Sequence, residues 1–302
     1  MFKRVAICGA AGQLGLELSR VFQSEGCQLL RLVRSKLDLT DAALVEKTLA
    51  AFEPDLVINS AAYNMVDVAE QEPQAAYQVN ALAVRNLGVA CRQLDARLVH
   101  FSTDYVFDGV KGSPYTEEDK THPLGAYAVS KLSGELYAQA YLDHSLIIRT
   151  SGVFGPGGLR TARGNFVELM LRLAAGGQTI RVVEDHVASP TFAPALAERT
   201  LEMVRAGLSG VYHVGGGTPI SWYEYARLIF FSAGLAPELR ATNEREYRTA
   251  ARRPKFSALS NAKMERAGIT PMPPLPDAVR QYMVSRQMEL SASGGAGTAP
   301  AR

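Results

Sequence analysis

The sequence predicts an α/β protein: a doubly wound parallel sheet with a smaller C-terminal α/β lobe. Two observations carry this. Short β-rich apolar runs alternate with amphipathic helical stretches through the first half, an alternation that makes a parallel sheet covered by helices on both faces. Near residue 151 that pattern gives way to a Gly/Arg-rich loop and shorter elements. The 302 residues exceed what one compact core usually holds, so a boundary is expected. We place a nucleotide-binding domain at 1–150, with later segments able to return to it, a smaller lobe at 151–288, and a flexible tail at 290–302.

The strands are read at "RVAIC" (4–8), "CQLLRLV" (27–33), "DLVINS" (55–60), "RLVHFS" (97–102) and "SLIIRT" (145–150), each bounded by polar residues. Helical spacing falls near 12–24, 41–52, 74–94 and 126–142. Beyond the loop "SGVFGPGGLRTARGN" come helices near 165–175, 193–206 and 221–233, and strands at "TIRVVE" and "GVYHVGG".

Composition excludes several classes. Lys+Arg number 32 against Asp+Glu 30, so no bulk charge draws the chain to nucleic acid or an anionic membrane. Cys8, Cys27 and Cys91 lie in apolar runs without ligand spacing and read as reduced, buried thiols of a cytoplasmic protein. The five histidines are scattered, so no metal site is expected. No stretch reads as a signal peptide or membrane span.

Ligands of such sheets bind beyond the carboxyl ends of the strands. The first strand ends in "GAAGQLG", where Gly9, Gly12 and Gly15 permit a tight turn and close approach of a pyrophosphate to a helix N-terminus. After the second strand stand Arg34 and Lys36. These cations suit a 2′-phosphate and favour NADPH over NADH, although Lys36 reads equally well as a solvated loop charge. Asp38 sits at the adenine end or caps the next helix. Small Ala61 and Ala62 let the third strand's exit pass close to a cofactor. The fourth ends in Ser102, Thr103 and Asp104, polar groups that burial would penalise without partners.

"GAYAVSKLSGE" then places Tyr127 and Lys131 four apart on one helix face. Free tyrosine is a poor acid at neutral pH, and an adjacent ammonium favours its phenolate. With a nicotinamide cofactor and Thr103, these groups suit carbonyl reduction.

The segments "GAAGQLGLEL", "DLTD", "FSTDYVFDG", "PLGAYAVSKLSGE", "IIRTSGVFG" and "ASPTFAPALA" resemble, in order and spacing, the dTDP-4-dehydrorhamnose reductase family of the extended short-chain dehydrogenases/reductases. The likeness runs from residue 3 to about 285. It implies a Rossmann domain for NADPH and a C-terminal lobe for a nucleotide sugar, in a rhamnose and polysaccharide biosynthesis enzyme. It implies Thr103, Tyr127 and Lys131 as the catalytic trio. Gly12, Gln13, Leu14, Asp38, Leu39, Ala62, Tyr63, Asn64, Tyr127 and Lys131 match cofactor contacts, and Thr103 and Asp104 substrate contacts. Arg253 is a candidate for the substrate's diphosphate or a solvated surface arginine. Gly152 stands where the family often carries a sugar-packing tryptophan. Glu17 matches one glutamate of a magnesium-bridged dimer seen in some members, but Pro194 stands at the other, so no such bridge is expected; a homodimer is left open. The alternatives are a dehydratase, disfavoured by Tyr105 where an acid is needed, an epimerase, disfavoured by Arg34, and an idle NADP-binding regulatory subunit like that of methionine adenosyltransferase.

Overall fold

The computed structural model describes residues 2–161 and 164–294. Its first half runs β1 (Arg4–Cys8), α1 (Gln13–Ser24), β2 (Gln28–Leu32), α2 (Ala42–Phe52), β3 (Leu56–Asn59), α3 (Pro73–Tyr77), α4 (Ala83–Gln93), β4 (Arg97–Thr103), α5 (Ala126–Tyr141) and β5 (Leu146–Thr150). Then follow α6 (Phe166–Ala175), β6 (Ile180–Val183), β7 (Val187–Ala188), α7 (Ala193–Arg205), β8 (Gly210–His213), β9 (Ile220–Ser221), α8 (Trp222–Ser232), β10 (Leu239–Thr242), α9 (Ala262–Arg266) and α10 (Leu275–Gly294).

Six strands form one parallel sheet in the order β2-β1-β3-β4-β5-β8. The doubly wound reading is borne out. The order reverses between β1 and β3, and a ligand crevice opens at such a switch point. Period-two alternation sends Val5, Ile7, Leu56, Ile58, Val99, Phe101, Leu146 and Ile148 to one face, against Leu18 and Phe22 of α1 and Leu196 and Met203 of α7. Ala6, Cys8, Val57, Leu98 and Ile147 face the other side, against Val45, Leu49, Val84, Leu87 and Ala138. Because β8 pairs with β5, part of the chain beyond residue 151 is built into this sheet. A separate apolar cluster, with Phe154, Phe192, Tyr225 and Tyr282 among its members, joins α6, α7, α8 and α10.

The helix read at 74–94 is observed as one run from residue 73 to residue 93, in which a π-helical turn at Gln78–Leu82 joins α3 to α4 and carries the buried Asn80. Two expectations are corrected. Residues 290–294, placed in the flexible tail, instead continue α10 to Gly294 through "MELSAS", which holds no helix breaker. Residues 295–302 lie outside the described residues, as do Ala162 and Arg163 of the Gly/Arg-rich loop. Of the thiols, Cys8 and Cys91 are buried but Cys27 only half so. Among the described residues no helix is long and apolar enough to cross a membrane.

Candidate active site

Each glycine of the first turn has a steric reason. Gly9 has φ 76°, and a Cβ there would lie 2.7 Å from the Ala61 amide nitrogen, so the turn and the β3 exit can touch only through glycine. A Cβ on Gly15 would lie 2.1 Å from the Gly9 carbonyl oxygen, which fixes α1 against the turn. Gly12 is the N-cap of α1 and makes no side-chain cap, leaving backbone N–H groups at that terminus to meet an anion. This cradle fits a dinucleotide phosphate. The neighbouring Gln13 is used structurally: its Nε2 donates to the Val153 carbonyl at 2.8 Å, and Asn165 Nδ2 donates to its Oε1 at 2.8 Å. Leu14 packs on the sheet core.

Arg34, Lys36 and Asp38 are exposed on the loop after β2, with Leu39 buried beside them. Asp38 does not cap α2. Its carboxylate accepts from the Thr40 amide at 2.9 Å and hydroxyl at 2.8 Å, which, with Arg34 nearby, hold it below the usual carboxyl range. The cap is Asp41, three residues before the amide it accepts, Leu44. At the β3 exit, Asn80 accepts from the Tyr63 amide at 2.8 Å and donates to the Tyr63 carbonyl and to Ser130 Oγ, each at 3.0 Å. The segment Ala61–Asn64 is thereby tied to α5.

Tyr127 and Lys131 lie on the first turns of α5. Glu70 accepts from the Ala126 amide at 2.8 Å and so caps the helix that presents them. A Cβ on Gly125 would come within 2.5 Å of that carboxylate. The Tyr127 ring meets the Tyr105 ring edge-on, centroids 6.1 Å apart, in a small pocket that Val66, Ala251 and Pro254 also line. Lys131 is buried, and its Nζ donates to the Phe101 carbonyl at 2.6 Å. Burial lowers its pKa to about 8, while Glu135 pulls the other way.

Thr103 ends β4, and its hydroxyl donates to Asp104 Oδ1 at 3.2 Å. Asp104 is 3% exposed. Its Oδ2 accepts from Ser151 Oγ at 2.8 Å and from Ser257 Oγ, so its oxygens already serve hydroxyls from three segments. Those bonds lower its pKa, but burial outweighs them and raises it to about 6. Its oxygens are thus committed to protein hydroxyls rather than open to a ligand. Arg253 is not a free surface cation: Nη1 and Nη2 meet the two Asp67 oxygens at 3.0 and 2.6 Å.

Gly152, at φ 49°, lies against the ring of Trp222, the chain's single tryptophan. Glu17 pairs with Arg20 at 3.0 Å, and Pro194 occupies the first turn of α7. One grouping was invisible in sequence. Asp185, His186 and Glu244 bring ligand-type atoms within 4.8 Å of one another, and Lys255 lies 3.7 and 3.5 Å from the two carboxylates as their counter-ion. Glu70, Asn80, Ser151 and Ser257 carry no sequence signal either, because polar residues in loops and a π-helical turn give no periodicity.

A parallel sheet with a glycine turn after β1, and a tyrosine and lysine one helical turn apart beyond β4, defines an oxidoreductase of the extended short-chain dehydrogenase/reductase class. The chain belongs to the RmlD substrate binding domain family, whose profile matches residues 3–288. It is 40% identical over 276 residues to the dTDP-4-dehydrorhamnose reductase of Mycobacterium tuberculosis (strain ATCC 25618 / H37Rv), covering 89% of each chain. It is 38% identical over 283 residues to the spore coat polysaccharide biosynthesis protein SpsK of Bacillus subtilis (strain 168), covering 94% of this chain and 98% of that one. The crystal structure of dTDP-4-dehydrorhamnose reductase from Bacillus anthracis in complex with NADP superposes with a TM-score of 0.89 at 33% identity, covering 94% and 99% of the two chains. The motif resemblance is borne out.

Proposed function

We propose that the protein reduces the C4 keto group of dTDP-4-dehydro-L-rhamnose to dTDP-L-rhamnose with NADPH. The observation that carries this is the placement of Tyr127 and Lys131 on α5, beyond the carboxyl end of β4. The reductases named above support the choice of sugar.

When bound, NADPH supplies the hydride. The glycine turn and the α1 N-terminus hold the pyrophosphate, and Arg34 meets the 2′-phosphate. Thr103 donates its hydroxyl hydrogen to the C4 carbonyl oxygen, and Tyr127 delivers the proton to that oxygen as negative charge develops. Lys131 holds the nicotinamide ribose and favours the tyrosine's charged form through its ammonium. In this reading residues 151–288 form the nucleotide-sugar lobe. Arg253 then turns from Asp67 to the substrate diphosphate or bridges the two, since a guanidinium fork matches either anion.

The test is NADPH oxidation against a panel of nucleotide-linked 4-ketosugars, followed at 340 nm. Turnover with the dTDP-linked 6-deoxy-4-ketohexose and little with UDP- or GDP-linked analogues is expected. Absence of turnover across the panel would overturn the proposal.

A further inference from the structure

Below Lys131, α5 carries a buried carboxylate that the reduction chemistry does not use. Glu135 is four residues on, thus on the same helix face, and its side chain is 2% exposed. Arg149 of β5, 6% exposed, grips it as a fork: Nη2 donates to Oε2 at 2.7 Å and Nε to Oε1 at 3.0 Å. Ser102 Oγ of β4 donates to Oε1 as well. The guanidinium lies 5.3 Å from the centre of the Phe107 ring, and Nη1 faces His213 Nε2 at 3.5 Å. His213 Nδ1 sits 3.0 Å from the Tyr115 carbonyl oxygen. That oxygen can only accept, so Nδ1 carries the hydrogen and Nε2 is left as the acceptor facing Arg149.

A buried ion pair gives little net stability compared with apolar residues of the same size, because both charges must be dehydrated. A reason for this one lies next to it. The Lys131 ammonium is itself buried, which disfavours its charge, and Glu135 is the anion that acts on it.

We propose that Glu135, clamped by Arg149 and Ser102, is a positioning residue that keeps the Lys131 ammonium charged beside Tyr127. The proposal rests on the roles given to Tyr127 and Lys131 above. The titratable and charged groups around Lys131 are Tyr127 and Glu135 on its own helix, His100 from β4, and, behind Glu135, Arg149 from β5 and His213 from β8. His100 is held neutral by burial and by Lys131 itself, and burial with Arg149 puts His213 at about 3, so neither histidine titrates near neutrality.

The experiment titrates the Lys131 side chain by NMR in the full chain carrying labelled lysine, for the wild type, Glu135→Gln and Glu135→Asp. It then records the pH profile of kcat/KM with NADPH and the dTDP-4-ketosugar. Glu135→Gln should lower the Lys131 midpoint by about one pH unit and move the basic limb of kcat/KM down with it, about fivefold in activity at the wild-type midpoint. Glu135→Asp should restore both toward wild type. If Glu135→Gln does not fold with Arg149 left unpaired, Glu135→Gln combined with Arg149→Met removes both buried charges, and a lowered Lys131 midpoint is again expected. A folded variant whose Lys131 midpoint is unmoved, with activity reduced equally at every pH, overturns the proposal and leaves Glu135 a packing residue. A moved midpoint without an effect on turnover would instead count against the role of Lys131 in reduction, so the two failures are distinct.

Discussion

The position a Cβ would take on Gly152 lies 3.3 Å from the ring of Trp222 and 3.4 Å from the Cα of Pro190. Glycine there satisfies two demands at once, a left-handed backbone at φ 49° and a gap already filled by an aromatic ring. Gly152→Trp should therefore destabilise the protein rather than rebuild a sugar platform. The backbone alone costs about 1–2 kcal/mol, and a large ring adds overpacking against Trp222. Urea unfolding checks this: a variant as stable as the wild type would mean that Trp222 swings away freely.

What the sequence revealed here followed periodicity. The strands β1 to β5 and their alternation were legible because burial on two faces demands long apolar runs such as "LVIN" and "LIIRT". The glycine turn and the Tyr127–Lys131 spacing were legible because both are short-range patterns. Contacts between distant segments were not. Nothing in the order of residues places Ser257 on Asp104, Arg253 on Asp67, or Trp222 on Gly152. The π-helical turn at Gln78–Leu82 lies inside a continuous helix and leaves no mark on the apolar spacing; the bonds of Asn80 to the Tyr63 backbone and Ser130 are what distinguish it.

Asp104 should make stability depend on pH. Its carboxyl, near 3.8 when unfolded, sits at about 6 in the folded chain because burial outweighs its hydroxyl donors. Between those values the folded state holds the extra proton, so this group's contribution to stability falls as pH rises from about 4 to 6. Asp104→Asn removes the slope. Urea unfolding at pH 4 and pH 7 should show the wild type losing ground to the variant by up to about 3 kcal/mol across the interval. Parallel curves would mean that Asp104 stays ionised throughout.

Arg34 is exposed and stands close enough to Asp38 to affect its titration. If it meets a 2′-phosphate, Arg34→Ala should weaken NADPH binding roughly 10- to 100-fold, the range of a lost charge-assisted hydrogen bond, and leave NADH nearly unchanged. Fluorescence titration of both cofactors gives the ratio. An unchanged preference would assign the discrimination to another residue.

Tyr127→Phe separates chemistry from packing at the centre of the site. The ring meets Tyr105 edge-on, and phenylalanine preserves that contact while removing the hydroxyl. General acid catalysis contributes about 10²- to 10⁴-fold, so kcat should fall within that range. NADPH affinity and the unfolding midpoint should hold, because phenylalanine leaves the glycine turn, Lys131 and the ring contact with Tyr105 in place. Rapid-quench measurement of a single turnover reads the chemical step directly, and equilibrium titration reads binding. A parallel loss of affinity and rate would show that the hydroxyl organises the pocket instead of supplying the proton, since a group that acts only as charge develops leaves the ground-state complex untouched.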